Sequence, residues 1–99
     1  MKVDTVLTNM QRLLDDIGNL PYDAEIFGVY PTPGLYGSLP AIGLSEDSFR
    51  TMFAGMHITR HRLPDGDKLI MQTETCVFFA YMGPTRREPD VLHEVLPSA

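Results

Sequence analysis

Apolar and polar positions follow three rhythms along this chain. Between residues 3 and 17, Val3, Val6, Leu7, Met10, Leu13, Leu14 and Ile17 recur at three- and four-residue spacing. This is the period of a helix with one apolar stripe, and it predicts a helix over about 4–17. Asp4 or Thr5 caps its start, and the charge of Asp4 suits the positive end of the helix dipole. Gly18 supplies a left-handed stop before Pro21. Thr8, Gln11, Arg12 and Asp15 form the polar side.

Residues 23–30 read as a strand, with Phe27 and Val29 on one face, Ile26 and Tyr30 on the other, and Gly28 as a weak point or bulge. The stretch 31–43 has six Pro or Gly residues, yet it also carries Leu35, Tyr36, Leu39 and Ile42. Pro33-Gly34 fits the centre of a type II turn. A short strand at about 35–39 returns from it and ends at Pro40. Ser45 then caps a second helix, with Glu46 and Asp47 in the first turn and Leu44 and Phe49 at the spacing of a hydrophobic staple. Phe49, Met52, Phe53 and Met56 continue its apolar face, and Gly55 ends it.

Further on, 57–63 and 68–73 alternate as strands around Pro64-Asp65-Gly66-Asp67, a hairpin signal. Residues 76–82 (CVFFAYM) are continuously apolar, as in a strand buried on both faces. Thr73-Glu74-Thr75 holds no Gly or Pro, so the two runs read as one long bulged strand. Its bulk places it at the sheet centre, whereas Arg and His place 57–63 at an edge. Residues 84–90 are a polar loop, and 91–96 form a short last element whose type stays open. The predicted class is α+β: a small antiparallel sheet of about four strands with two main helices packed on one face, in a single compact domain over 1–99.

Composition narrows the function. The 99 residues are 43% apolar and hold 8 Lys+Arg against 13 Asp+Glu, a net charge of −5. A chain of this size buries about two thirds of its unfolded surface, enough for one core. No apolar run is long enough for a helical membrane span. Cys76 is the only cysteine, and the N-terminus has no signal-like apolar segment, so the expectation is a cytoplasmic chain with a reduced thiol. Residues 1–49 hold seven acidic and two basic residues, and residues 50–99 hold six of each. This balance argues against direct nucleic-acid binding, which draws its affinity from Lys and Arg on phosphates. The clusters Arg60-His61-Arg62 and Arg86-Arg87 are each large enough for one acidic group.

Candidate chemistry is sparse. His57 and His61 would share a face of a helix, but on a strand they stand about 13 Å apart, so no metal site and no cofactor are predicted. Cys76 opens the most apolar run, which makes it a core thiol with a raised pKa rather than a nucleophile. No serine lies in a nucleophile-elbow context, and no phosphate loop is present. No catalytic residue is assigned. The expected function is a non-catalytic protein-binding module (adaptor, chaperone-like or inhibitor), homodimeric, with a basic-surfaced protein as partner. Its contact residues would be Leu35, Tyr36, Leu39 and Ile42 of the Pro/Gly loop, with Asp15, Asp16, Asp23 and Glu25 steering the approach. The alternative is a small-molecule-binding or enzymatic domain. Its cleft would lie between sheet and loop, lined by Glu74, His57, His61, Arg60 and Tyr36.

Overall fold

The computed structural model describes residues 2–31, 39–83 and 91–96. In chain order the elements are α1 (Val3–Gly18), β1 (Ile26–Tyr30), β2 (Ala41–Leu44), α2 (Glu46–Met52), β3 (His57–Leu63), β4 (Gly66–Gln72), β5 (Val77–Met82) and β6 (Val91–Val95). Among the described residues the protein is α+β, with two helices and a six-stranded sheet in the order β1-β2-β5-β4-β3-β6. The sheet is mixed: β2 and β5 run parallel, with Ala41 beside Val77 and Gly43 beside Phe79, and the other pairs are antiparallel.

The expected small antiparallel sheet of about four strands is therefore corrected in two respects. Residues 68–82 are not one long strand. They form β4 and β5, which pair along their lengths from Asp67↔Met82 to Gln72↔Val77. The turn between them is made by Thr73, whose hydroxyl accepts from the amides of Thr75 and Cys76 and donates to the Cys76 carbonyl. A threonine side chain does here what Gly or Pro does elsewhere. The second correction concerns β3, which is interior rather than an edge, because residues 91–95 form β6 and pair along its free side.

Smaller differences have equally local causes. Lys2 occupies the N-cap of α1 without a side-chain cap, and Asn19 in right-handed conformation ends the helix in place of a left-handed Gly18. Ser45 does cap α2, its hydroxyl accepting from the Ser48 amide at 3.2 Å. The β3–β4 loop is Pro64-Asp65, since Leu63 already pairs with Gly66. Gly66 has φ 151°, and a Cβ there would overlap the Met82 carbonyl oxygen, so only glycine fits. The predicted turn at Pro33-Gly34 and most of the strand at 35–39 lie outside the described residues. The strand on that side is β2, which begins directly after Pro40.

The pleat sorts side chains onto two faces. On one, Ile42, Leu44, Ile58, Leu69, Phe78, Ala80 and Leu96 meet Leu13 of α1 and Phe49 of α2 in the main buried cluster. Both helices thus feed the same core. Phe49 contacts Phe53 edge-on at 4.9 Å between ring centroids, and Phe53 contacts Phe78 at 5.3 Å with the rings tilted, so ring contacts tie α2 to the sheet centre. On the other face, Ala41, Val77 and Phe79 form a smaller cluster joined by Leu39 and Ile70.

Candidate functional site

The broad apolar arc of α1 meets the sheet over only part of its width. Leu13 is buried, and Ile17 packs against the main cluster. Asn9 is also buried, and its side-chain amide donates to the Pro31 carbonyl at 2.9 Å, anchoring the helix at the end of β1. About a quarter turn around the helix, at 100° per residue, runs a second row. Here Val3 is 74% exposed, Leu7 60%, Met10 47% and Leu14 64%. These four follow a four-three-four spacing, the seam of a helix pair. The seven apolar positions seen in the sequence are two adjacent rows, one facing the sheet and one facing outward. The signal was already in the spacing: an arc this wide exceeds what one flat sheet covers.

The acidic residues border this helix at its C-terminal end. Asp15 is exposed and accepts from the Gln11 side chain, and Asp16 accepts from the Thr75 hydroxyl at 2.9 Å. Asp23 and Glu25 are exposed on the connection to β1, where they line a shallow depression with Asp47, Ser48 and Thr51 of α2. The Glu25 amide donates to the Ser48 hydroxyl and holds that connection on α2. The proposed contact residues of the Pro/Gly loop fare differently. Ile42 is fully buried in β2 and offers no surface, because strand pairing on both sides places it in the core. Leu39 is half-buried against the smaller cluster. Leu35 and Tyr36 lie outside the described residues.

The alternative cleft does not assemble from its four described residues. His57 and His61 alternate with Arg60 along β3, so they point to the opposite face of the sheet, and both are exposed. Glu74 is exposed in the β4–β5 turn. His93 of β6 lies beside Thr59, its Nδ1 3.3 Å from the Thr59 hydroxyl. Among the described residues no group of three or more His, Cys, Asp or Glu side chains is placed to hold a metal ion.

Arg60 has another role. Together with Arg62 it reaches Asp67, each through Nη1 at 3.4 Å from Oδ2, and Arg60 Nε also donates to Glu94. The two arginines of β3 therefore converge on a carboxylate that is 2% exposed. Arg86 and Arg87 lie outside the described residues.

The face carrying His57 and His61 also bears an aromatic group. A bulge between Ile26 and Gly28 changes the alternation of β1, so Phe27 joins Tyr30 on the same side and both pack on Phe79. The expected sharing of a face by Phe27 and Val29 is corrected accordingly. Tyr81 completes the group, and the Lys68 ammonium sits 4.5 Å from the centre of the Phe79 ring. Phe27, Tyr30 and Tyr81 are each about half exposed.

Cys76 is fully buried, and burial, reinforced by the charge of Asp16, pushes its thiol from the ordinary 9.0 up to about 12. The thiolate needed for nucleophilic attack is thus suppressed at neutral pH. The folded chain keeps this proton at a pH where the unfolded chain has lost it. The resulting stability is whole below pH 9 and drains away as pH climbs toward 12. Replacing Cys76 with alanine is expected to flatten that alkaline loss, read as melting temperature against pH for the two proteins.

No helix among the described residues is long and apolar enough to cross a membrane. Comparisons with protein-family models, with curated proteins and with solved structures return no match.

Proposed function

We propose that this protein is a non-catalytic protein-binding module that presents the outward flank of α1 to another polypeptide, with the nearby acidic residues drawing in a basic surface. One observation carries the reading: Val3, Leu7, Met10 and Leu14 stand exposed in a single row on a helix that is otherwise anchored. Isolated exposed apolar residues are ordinary, but an aligned row of large ones marks a contact surface. The acids Asp15, Asp16, Asp23 and Glu25 follow at the C-terminal side of that row. Their charge speeds encounter with a cationic partner more than it tightens the final complex. Of the loop residues, Ile42 is committed to the core and Leu39 is half-buried, so this reading rests on α1.

The test uses a synthetic amphipathic helix with leucines at seam positions and lysines around them, titrated calorimetrically into the protein. Binding is expected, and it should weaken steeply as salt rises. Leu7→Glu with Leu14→Glu should weaken it at least tenfold. The melting temperature should hardly change, since both side chains are solvent-exposed. Asp15→Asn with Asp16→Asn should flatten the salt dependence. Absence of binding, or binding indifferent to the double leucine change, would refute the proposal.

A further inference from the structure

We infer that α1 is a releasable strap: it leaves the sheet as a unit while the sheet and α2 stay together, and the chain between Asn19 and Ala24 is its hinge.

The hold of α1 on the sheet is small for its length. Of its 16 residues only Asn9 and Leu13 are buried, and Ile17 adds a partly buried contact. Among the described residues, two side-chain hydrogen bonds tie it to the rest of the chain. Asn9 donates to the Pro31 carbonyl and the Thr75 hydroxyl donates to Asp16, both at 2.9 Å. The helix also has weak ends. Asp4 suits the dipole, but Lys2 at the N-cap makes no side-chain cap bond to the free amides. The last turn holds no basic residue, while Asp15 and Asp16 stand near the negative end. A helix this short is close to marginal by itself in water, so leaving the sheet also loosens its turns.

The far side of the hinge is fixed. The Glu25 amide donates to the Ser48 hydroxyl, and the Glu25 carbonyl accepts from the Ser45 amide, both at 2.9 Å. The chain is thus pinned at α2, and opening stops there. A segment with so few buried apolar contacts opens at lower free energy than the strands beneath it. Cys76 lies at the uncovered place. Its neighbour Thr75 holds Asp16, and Cys76 shares the main cluster with Leu13. The thiol is fully buried while α1 is docked, so its accessibility reports the release.

The experiment takes two readouts from the full chain. In amide exchange read by mass spectrometry, α1 should exchange well before β5. Cys76 labelling by a maleimide should proceed at a rate that barely changes across low urea, because a local opening exposes little surface. Asn9→Ala and Thr75→Val each remove one tie and should speed labelling roughly two- to tenfold. Each rate is divided by that of the same variant unfolded in urea, which removes any change in the thiol itself. Lys2→Ser supplies the missing cap and should slow labelling several-fold. Amides of α1 that exchange as slowly as those of β5 would overturn the strap. So would labelling that climbs with urea in step with global unfolding from the first addition, or labelling indifferent to Asn9→Ala and Thr75→Val.

Discussion

Replacing Asp67 with alanine is expected to cost about 3–5 kcal/mol of folding stability, the range for removing one partner from a buried ionic group. The reason is asymmetry. Asp67 is 2% exposed and receives Arg60 and Arg62, whose side chains are 12% and 14% exposed. Take the carboxylate away and two guanidinium groups remain close together in a site where water screens them little. Glu94 still engages Arg60, from a more open position. The loss is expected to lower the melting temperature by roughly 12 °C or more. Asp67→Asn keeps the shape and should still lose most of it, because the charge rather than the volume is at issue. Thermal and denaturant melts of the two variants check this. A loss under about 1 kcal/mol for Asp67→Ala would show that water or neighbouring groups take over the two guanidinium charges.

Truncating Phe49 to alanine should be as damaging, about 3–5 kcal/mol, for a different reason. The ring is fully buried and starts the series of ring contacts that runs through Phe53 to Phe78. Its removal leaves a void between α2 and the sheet, where the Ser45 cap fixes the backbone and limits collapse. Phe49→Leu fills most of that space and should lose less than half as much. Equal losses from the two changes, measured in urea, would argue that ring-to-ring contact rather than volume holds α2 to the sheet.

Much of this architecture was legible in the residues. The 3.6-residue period located α1, and the Leu44–Ser45–Phe49 pattern located α2 and its cap. The apolar run at 76–82 placed β5 at the sheet centre, where it pairs with β2 and β4. What escaped notice had particular causes. The Thr73 turn uses a side-chain hydroxyl, so the usual punctuation was missing and two strands read as one. The final element looked neutral because VLHEVL has no decisive period; only β3, waiting with a free side, makes it a strand. The parallel pairing of β2 with β5 leaves no local mark, since the partners are distant in the chain. For the candidate site, the acids were visible as charge. The α1 flank was present only as an apolar arc too wide for one sheet, because a list of apolar residues does not say which of them the sheet has room to cover.

The parallel contact between β2 and β5 joins segments about 36 residues apart and is expected to close after the local hairpins. The β3–β4 and β4–β5 hairpins close through short turns and cost little chain entropy, so this ribbon is the natural nucleus. The N-terminal half meets that ribbon along β2, with Ala41, Ile42 and Gly43 beside Val77, Phe78 and Phe79, and β1 joins beyond β2. Until that docking, the central edge of the ribbon is a bare template of hydrogen-bonding groups beside the most apolar segment in the protein. The interval between ribbon formation and docking is when a wrong strand from another nascent molecule can take the place of β2, so slowing that step converts refolding into aggregation.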